Sequence, residues 1–277
     1  MPAPLSAASA ASAASGSALA IFEEHFASLG GYDRYRDTLA FVDSRLKRVA
    51  AGLNAAQLTA LFGTEVTHIN YPTFKALCRC IDELPSVSIL ETGSSAYGTN
   101  SSALFAKVAS HRRGRFVTVD LNPRVSASAA QTFLALGCTE YCTALTGDSV
   151  ATLRGLDRRF NVVYLDSFDL LPDRFEQSEQ HGLAEFRTLL QHGLLDPVES
   201  YILIDDTPRS VEIFATQVDD RYLDSVRLHV AMHGRLPGKG ALIAQAARAM
   251  PNVTVVSWEY QLLLRYSERM PHPRAEA

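Results

Sequence analysis

The stretch Val87-Ser-Ile-Leu-Glu-Thr-Gly-Ser-Ser-Ala-Tyr-Gly-Thr-Asn-Ser101 runs from a short apolar segment into an acidic residue and a glycine, then through a turn of small residues. Ser102-Ala-Leu-Phe-Ala-Lys-Val-Ala109 follows it, with apolar residues at helical spacing. This is the pattern of a buried strand feeding a helix through a glycine-containing loop, the place where an open parallel sheet binds a nucleotide-like ligand. Gly93 lets the backbone approach such a ligand closely, and the start of the helix offers free N–H groups.

Outward from this stretch, strand signals at 86–91, 115–120, 143–146, 161–166 and 200–205 alternate with helix signals at 101–110, 126–136, 150–156 and 183–192. The alternation predicts an α/β fold: a Rossmann-like, open, mostly parallel sheet with helices on both faces. Downstream, 226–232, 253–257 and 260–266 are β-prone, with a helix at 241–249 between the first two. The last two runs are too close for a helical crossover, so at least one C-terminal strand is antiparallel. Upstream, Pro72 suits the first turn of a helix over 73–84, and 19–62 carries helical periodicity interrupted at Gly30-Gly31. The expected organisation is a disordered Ala/Ser-rich leader at 1–18, a helical N-terminal cap at 19–66, a sheet domain at 67–268 and a flexible tail at 269–277. The cap either closes over a ligand or packs on one sheet face.

Composition points to small-molecule chemistry. Of 277 residues 47% are apolar and the formal net charge is −4, with basic residues scattered, so the basic footprint of a nucleic-acid binder is missing. The four cysteines, at 78, 80, 138 and 142, form no CxxC pair and read as reduced thiols of a cytosolic protein. No apolar run reaches the ~18 residues of a membrane span, and the opening has no basic residue before Arg34, unlike a secretory or mitochondrial signal. A cytoplasmic protein without nucleic-acid or membrane partners is expected, and a homodimer stays open.

Glu91, Asp120, Asp166, Asp205 and Asp206 each stand at the end of an expected strand. In a parallel open sheet these ends share one edge, so the carboxylates gather around a single crevice. Asp120 lies 27 residues beyond Gly93, where a carboxylate accepts hydrogen bonds from the two hydroxyls of a ribose. A dinucleotide site wants glycine at the middle position of G-x-G-x-x-G, and here that position is Ser95. S-adenosylmethionine has no phosphates to cradle, and its cationic sulfonium suits an acidic rim. Each acidic strand end can also be an ordinary cap or turn residue.

The ordered set Leu90-Glu-Thr-Gly93, Val117-Thr-Val-Asp-Leu-Asn-Pro123, Leu145-Thr-Gly-Asp-Ser149, Val163-Tyr-Leu-Asp166 and Leu203-Ile-Asp-Asp206 resembles class I S-adenosylmethionine-dependent methyltransferases. More narrowly, it resembles the metal-dependent O-methyltransferases of the catechol, caffeoyl-coenzyme A and macrocin types. The resemblance covers about residues 68 to 210, and Gly238-Lys-Gly240 with Tyr260-Gln-Leu-Leu-Leu264 is similar to uncharacterised bacterial members. It implies Glu91, Gly93 and Ser95 around the methionine part, with Asn100 or Ser101 at the helix start. Asp120 would hold the ribose, Asp148 and Ser149 would lie beside the adenine, and Asp166 would stand near the cofactor amino group. It also implies one Mg2+ held by Asp166, Asp205 and Asp206, orienting a small-molecule hydroxylated acceptor.

Where catechol-type enzymes carry a lysine three residues after the first metal aspartate, this chain has Asp169. Asp169 is therefore either a weaker base or a further metal ligand, and the second candidate base is His181 in the polar segment 174–182, which is read as a loop. His233 and Lys239 are further residues able to reach the crevice, while Phe168, Phe175 and Tyr97 are either pocket walls or core. The sequence thus predicts Mg-assisted O-methylation of a small-molecule hydroxyl. Metal-independent O- or N-methylation stands as the alternative, beside a fold relative that binds the cofactor without transfer or uses a metal for a hydroxylase-like reaction.

Overall fold

A computed structural model describes residues 16–29, 68–95, 99–215, 218 and 220–269. Its centre is a seven-stranded sheet: β1 (Ser88–Thr92), β2 (Arg115–Asp120), β3 (Cys142–Thr146), β4 (Val162–Leu165), β5 (Ser200–Ile204), β6 (Val253–Trp258) and β7 (Leu262–Tyr266). The spatial order is β3-β2-β1-β4-β5-β7-β6. The first five strands pair in parallel, and β7 is antiparallel to both β5 and β6. The short link between β6 and β7 forces that reversal, as the sequence predicts.

Strand order reverses between β1 and β4, which each have the other as neighbour although β2 and β3 lie between them in sequence. The crevice outside the carboxyl ends of these strands is the ligand position of an open α/β sheet. Both sheet faces are covered. On one, α1 (Ala18–Ser28), α2 (Tyr71–Glu83), α3 (Ser101–His111) and α4 (Pro123–Ala135) bury Phe22, Phe26, Phe74, Phe105, Phe116 and Tyr164. On the other, α5 (Ser149–Arg154), α6 (Phe175–Gln191) and α9 (Ala241–Ala247) close over Leu90, Val119, Leu165, Phe186 and Ile204. The helix starts follow local chemistry: Pro72 lies in the first turn of α2, and Asn122 accepts the Arg124 N–H at 3.0 Å to cap α4.

α1 packs against α2 and α3 as part of the core, with Phe22 and Phe26 fully buried beside Tyr71 and Phe74. The rest of the expected cap, 30–66, lies outside the described residues, as do 1–15 of the leader, 270–277 of the tail and Tyr97.

Two expectations fail. The β-prone run 226–232 is helical, inside α8 (Asp220–His233), which follows the short α7 (Val211–Ala215). Leu223, Val226 and His229 recur at helical spacing on its buried side, while Leu228 and Met232 face solvent. The polar segment 174–182 is likewise the first half of α6 rather than a loop. Its polar Glu179 is buried because Arg235 and His229 pair with it. Among the described residues no helix is long and apolar enough to cross a membrane.

Candidate active site

At the carboxyl ends of β1, β2 and β4 lies a cleft of about 620 Å³, lined by Gly93, Ser94, Ser95, Asp120, Asp166 and Asp169 among others. Gly93 has φ +82°, and a Cβ there would collide with the carbonyl oxygen of Asp166. The loop after β1 therefore lies directly on the end of β4, which only glycine permits. Asp120 ties this loop to β2: one carboxylate oxygen accepts the Ser94 N–H at 3.0 Å, the other the Asn122 N–H at 2.7 Å. Glu91, Asp120 and Asp166 thus converge on one edge.

Glu91 itself does not line the cleft, contrary to its expected place around the methionine part. Its carboxylate is fully buried beneath the loop and accepts the hydroxyls of Ser101 at 2.6 Å, Ser102 at 2.5 Å and Thr118 at 2.7 Å. The loop hangs on these same hydroxyls. The Ser102 hydroxyl accepts the Ser95 N–H at 3.0 Å, and the Thr118 hydroxyl meets that of Ser94 at 2.7 Å. Burial pushes the Glu91 carboxyl up to about 7 against the pull of the three hydroxyls. Ser101 consequently serves Glu91 rather than a ligand, while Asn100 precedes α3 in a left-handed conformation (φ 45°) without a side-chain cap bond.

The residues expected beside the adenine follow β3 on the same edge, but neither lines the cleft. Asp148 is exposed and caps α5 through the Ala151 N–H at 2.8 Å. Ser149 is buried, with its hydroxyl 3.0 Å from His181 Nε2. His181 also faces Glu185 at 3.5 Å, whose hydrogen bond and charge hold the imidazole above its ordinary value, and its ring lies 5.4 Å from that of Phe168. It sits behind the cleft wall instead of opening into it. Asp169 is exposed and lines the cleft. Phe175 packs with Phe214 and Leu223 in a small core beneath α8, away from this cleft, and His233 turns to Glu176 at 3.2 Å.

Asp166, Asp205 and Asp206 come together as expected, with one carboxylate oxygen from each within 4.8 Å of the others. Burial pushes the Asp166 carboxyl up to about 6 against the pull of Lys239; burial, with Asp166 and Asp206 beside it, holds Asp205 well above the usual carboxylate range. What the sequence leaves open is the cation that faces them. Lys239, only 4% exposed, places its ammonium on Asp166 and 3.1 Å from Asp206. Burial works to lower its pKa, and the carboxylates of Asp166, Asp206 and Asp205 overrule burial and raise it well above the ordinary lysine value.

Residues to which the sequence reading gave no role complete the cluster. Asp205 accepts the amides of Gln261 at 2.6 Å and Asn70 at 3.3 Å, Asp206 accepts the Tyr260 hydroxyl at 2.8 Å, and Asp166 accepts that of Tyr164 at 3.3 Å. Asn70 and Gln261 stand 135 and 56 positions from Asp205, so no spacing rule connects them. Only the similarity of 260–264 to bacterial relatives pointed toward one of them.

No protein-family model matches the chain, and neither does any curated protein. Solved structures with a similar fold include an O-methyltransferase from Bacillus cereus in complex with SAH, at 18% identity and TM-score 0.48, covering 88% of this chain and 99% of that one. The SAH-bound methyltransferase PaMTH1 of Podospora anserina is similar at 15% identity and TM-score 0.49, covering 89% and 88%. The O-methyltransferase TomG of Streptomyces achromogenes, in complex with SAM, follows at 18% identity and TM-score 0.46, covering 86% and 98%.

Proposed function

We propose that this chain is an S-adenosylmethionine-dependent methyltransferase acting on an oxygen of a small-molecule acceptor. The observation that carries the reading is the cleft at the strand-order reversal, where Gly93 brings the loop against the Asp166 carbonyl too closely for any Cβ and Asp120 holds the loop that borders it. These residues fit an adenosine-bearing cation: Asp120 and Asp169 supply carboxylates to the cleft, and a pyrophosphate finds no glycine at Ser95. Adenosylmethionine, when bound, supplies an activated methyl group on its sulfonium.

The protein's part is alignment and removal of the acceptor proton. Asp120 has lone pairs left for ribose hydroxyls beyond the two N–H groups it already accepts. Asp169, exposed on the cleft wall beside Asp166, is the carboxylate placed to take the acceptor proton, whereas His181 is committed to Ser149 and Glu185.

The magnesium ion implied by the resemblance does not fit the residues as they stand. The donor set is of the right chemistry, oxygen only, but Lys239 already pairs with Asp166 and Asp206. Asn70 Oδ1 is buried without a partner, yet its amide nitrogen faces Asp205. No step is therefore assigned to a metal, and the reading is metal-independent transfer.

Calorimetry with S-adenosylmethionine tests the cofactor, and formation of S-adenosylhomocysteine across a panel of hydroxylated acceptors tests transfer. Asp120→Ala is expected to weaken cofactor binding by about 1–3 kcal/mol, the range for leaving hydrogen-bonding groups unmet. Unchanged affinity refutes the ribose assignment. Tight binding with no turnover on any acceptor favours a fold relative that binds the cofactor without transfer.

A further inference from the structure

We infer that Lys239 is the resident cation of the Asp166–Asp205–Asp206 centre, occupying the place that the resemblance gives to a divalent ion, so that the native chain takes up no metal there. The inference concerns the acidic centre alone and stands whether or not the cleft proves to bind a methyl donor.

Six carboxylate oxygens belong to the cluster, and five already have a donor. Asp166 has Lys239 on one oxygen and the Tyr164 hydroxyl on the other. Asp206 has Lys239 on one and the Tyr260 hydroxyl on the other. One oxygen of Asp205 accepts both Gln261 and Asn70. A divalent ion of this class needs six or more oxygen ligands with water on its open positions. Here the buried ammonium already lies on Asp166 and Asp206, and a divalent ion would have to displace it before reaching either carboxylate.

Lys239 is also built into place rather than swung there from solvent. Its N–H donates to the Asp206 carbonyl at 3.1 Å, and the next N–H, of Gly240, donates to the Thr207 hydroxyl at 2.9 Å. Thr207 is anchored in turn by the Tyr260 carbonyl at 2.9 Å and by the Trp258 indole at 2.7 Å. From the other side, Gly182 of α6 abuts the Lys239 carbonyl so closely that a Cβ would collide with it. The β5 end, the β6–β7 turn, α6 and the loop before α9 thus all fix the ammonium among the carboxylates. Three carboxylates this close repel unless protonated or neutralised, and the chain provides an ammonium of its own.

The probe is Mn2+, followed by electron paramagnetic resonance on the full chain, with Lys239→Met as the variant. Wild type is expected to bind no Mn2+ at this centre and to melt at the same temperature in Mg2+ and in chelator. Lys239→Met, which keeps the bulk and loses the charge, should gain Mn2+ affinity by at least about tenfold, and adding Asp205→Asn should abolish the gain. If Lys239→Met folds only in the presence of Mn2+ or Mg2+, the inference holds equally. Stoichiometric Mn2+ binding to wild type that Asp205→Asn removes would overturn it, as would a folded Lys239→Met with no gain. Should Lys239→Met fold under no condition, the wild-type titration with Asp205→Asn decides between the two. S-adenosylmethionine calorimetry on the same samples reads the cofactor site separately, so failure of one reading is distinguishable from failure of the other.

Discussion

Glu91→Gln should make the stability of the protein less dependent on pH, and the size of the effect follows from the burial of that one carboxyl. Glu91 is fully buried, and its pKa rises from the ordinary 4.5 to about 7 in the folded chain. Between those values the folded state keeps a proton that the unfolded chain has released, so folding is favoured at low pH and loses that advantage as pH rises through 7. At about 1.4 kcal/mol per unit the full effect is about 3.5 kcal/mol, of which about 2 kcal/mol falls between pH 5.5 and 8.5. Glutamine has the same shape and no charge, and the three hydroxyls can turn to meet its amide as donors or acceptors. Urea unfolding of both proteins at pH 5.5 and 8.5 isolates Glu91, because every other titrating group is shared. Wild type should lose about 2 kcal/mol more than Glu91→Gln over that interval. Equal losses would mean that the Glu91 carboxyl is not held protonated beneath the loop, and the account of how Ser95 and Ser94 are suspended from it would fail.

Gly93→Ala combines a positive φ with a collision against the Asp166 carbonyl, so it should cost about 1–3 kcal/mol in urea unfolding and weaken S-adenosylmethionine binding in calorimetry; retention of both would place the loop elsewhere. Phe26→Ala should cost about 3–5 kcal/mol of stability, because α1 belongs to the aromatic core with Phe22, Tyr71 and Phe74. A loss within about 0.5 kcal/mol, as for a surface residue, would make α1 a detachable appendage.

The sheet was legible because each of its parallel strands is a short apolar run closed by an acidic or polar residue, and each crossover keeps a 3.6-residue period. β2 is read at its observed ends, Arg115–Asp120, and the other parallel strands within two residues. The misread pieces share one cause. In 226–232 a short window of Val, Leu and Met looked β-prone, and the helical stripe shows only when Leu223 is included. In 174–182 the polar residues suggested a loop, although Ser178 and Glu179 are fully buried. The partners of Glu179, His229 and Arg235, come from α8 and the loop after it, which a local reading cannot supply.

The site divides in the same way. Positions fixed by the sheet, namely Gly93, Asp120, Asp166, Asp205 and Asp206, were readable because topology alone brings strand ends together. The state of those side chains was not, because it depends on what returns to them from elsewhere. Glu91 and Asp166 both end strands, and sequence treats them alike. Yet one faces three hydroxyls and becomes a support for the loop, while the other faces an ammonium and lines the cleft. Lys239 reaches Asp166 across 73 positions, carried by a loop with no periodicity of its own. The resemblance predicts that a positive charge must sit among these aspartates, and the structure satisfies that demand with a side chain. The electrostatic requirement was therefore visible in the sequence while the identity of the cation was not, since a lysine and a divalent ion answer the same charge and differ only in whether the surrounding oxygens keep their own hydrogen bonds.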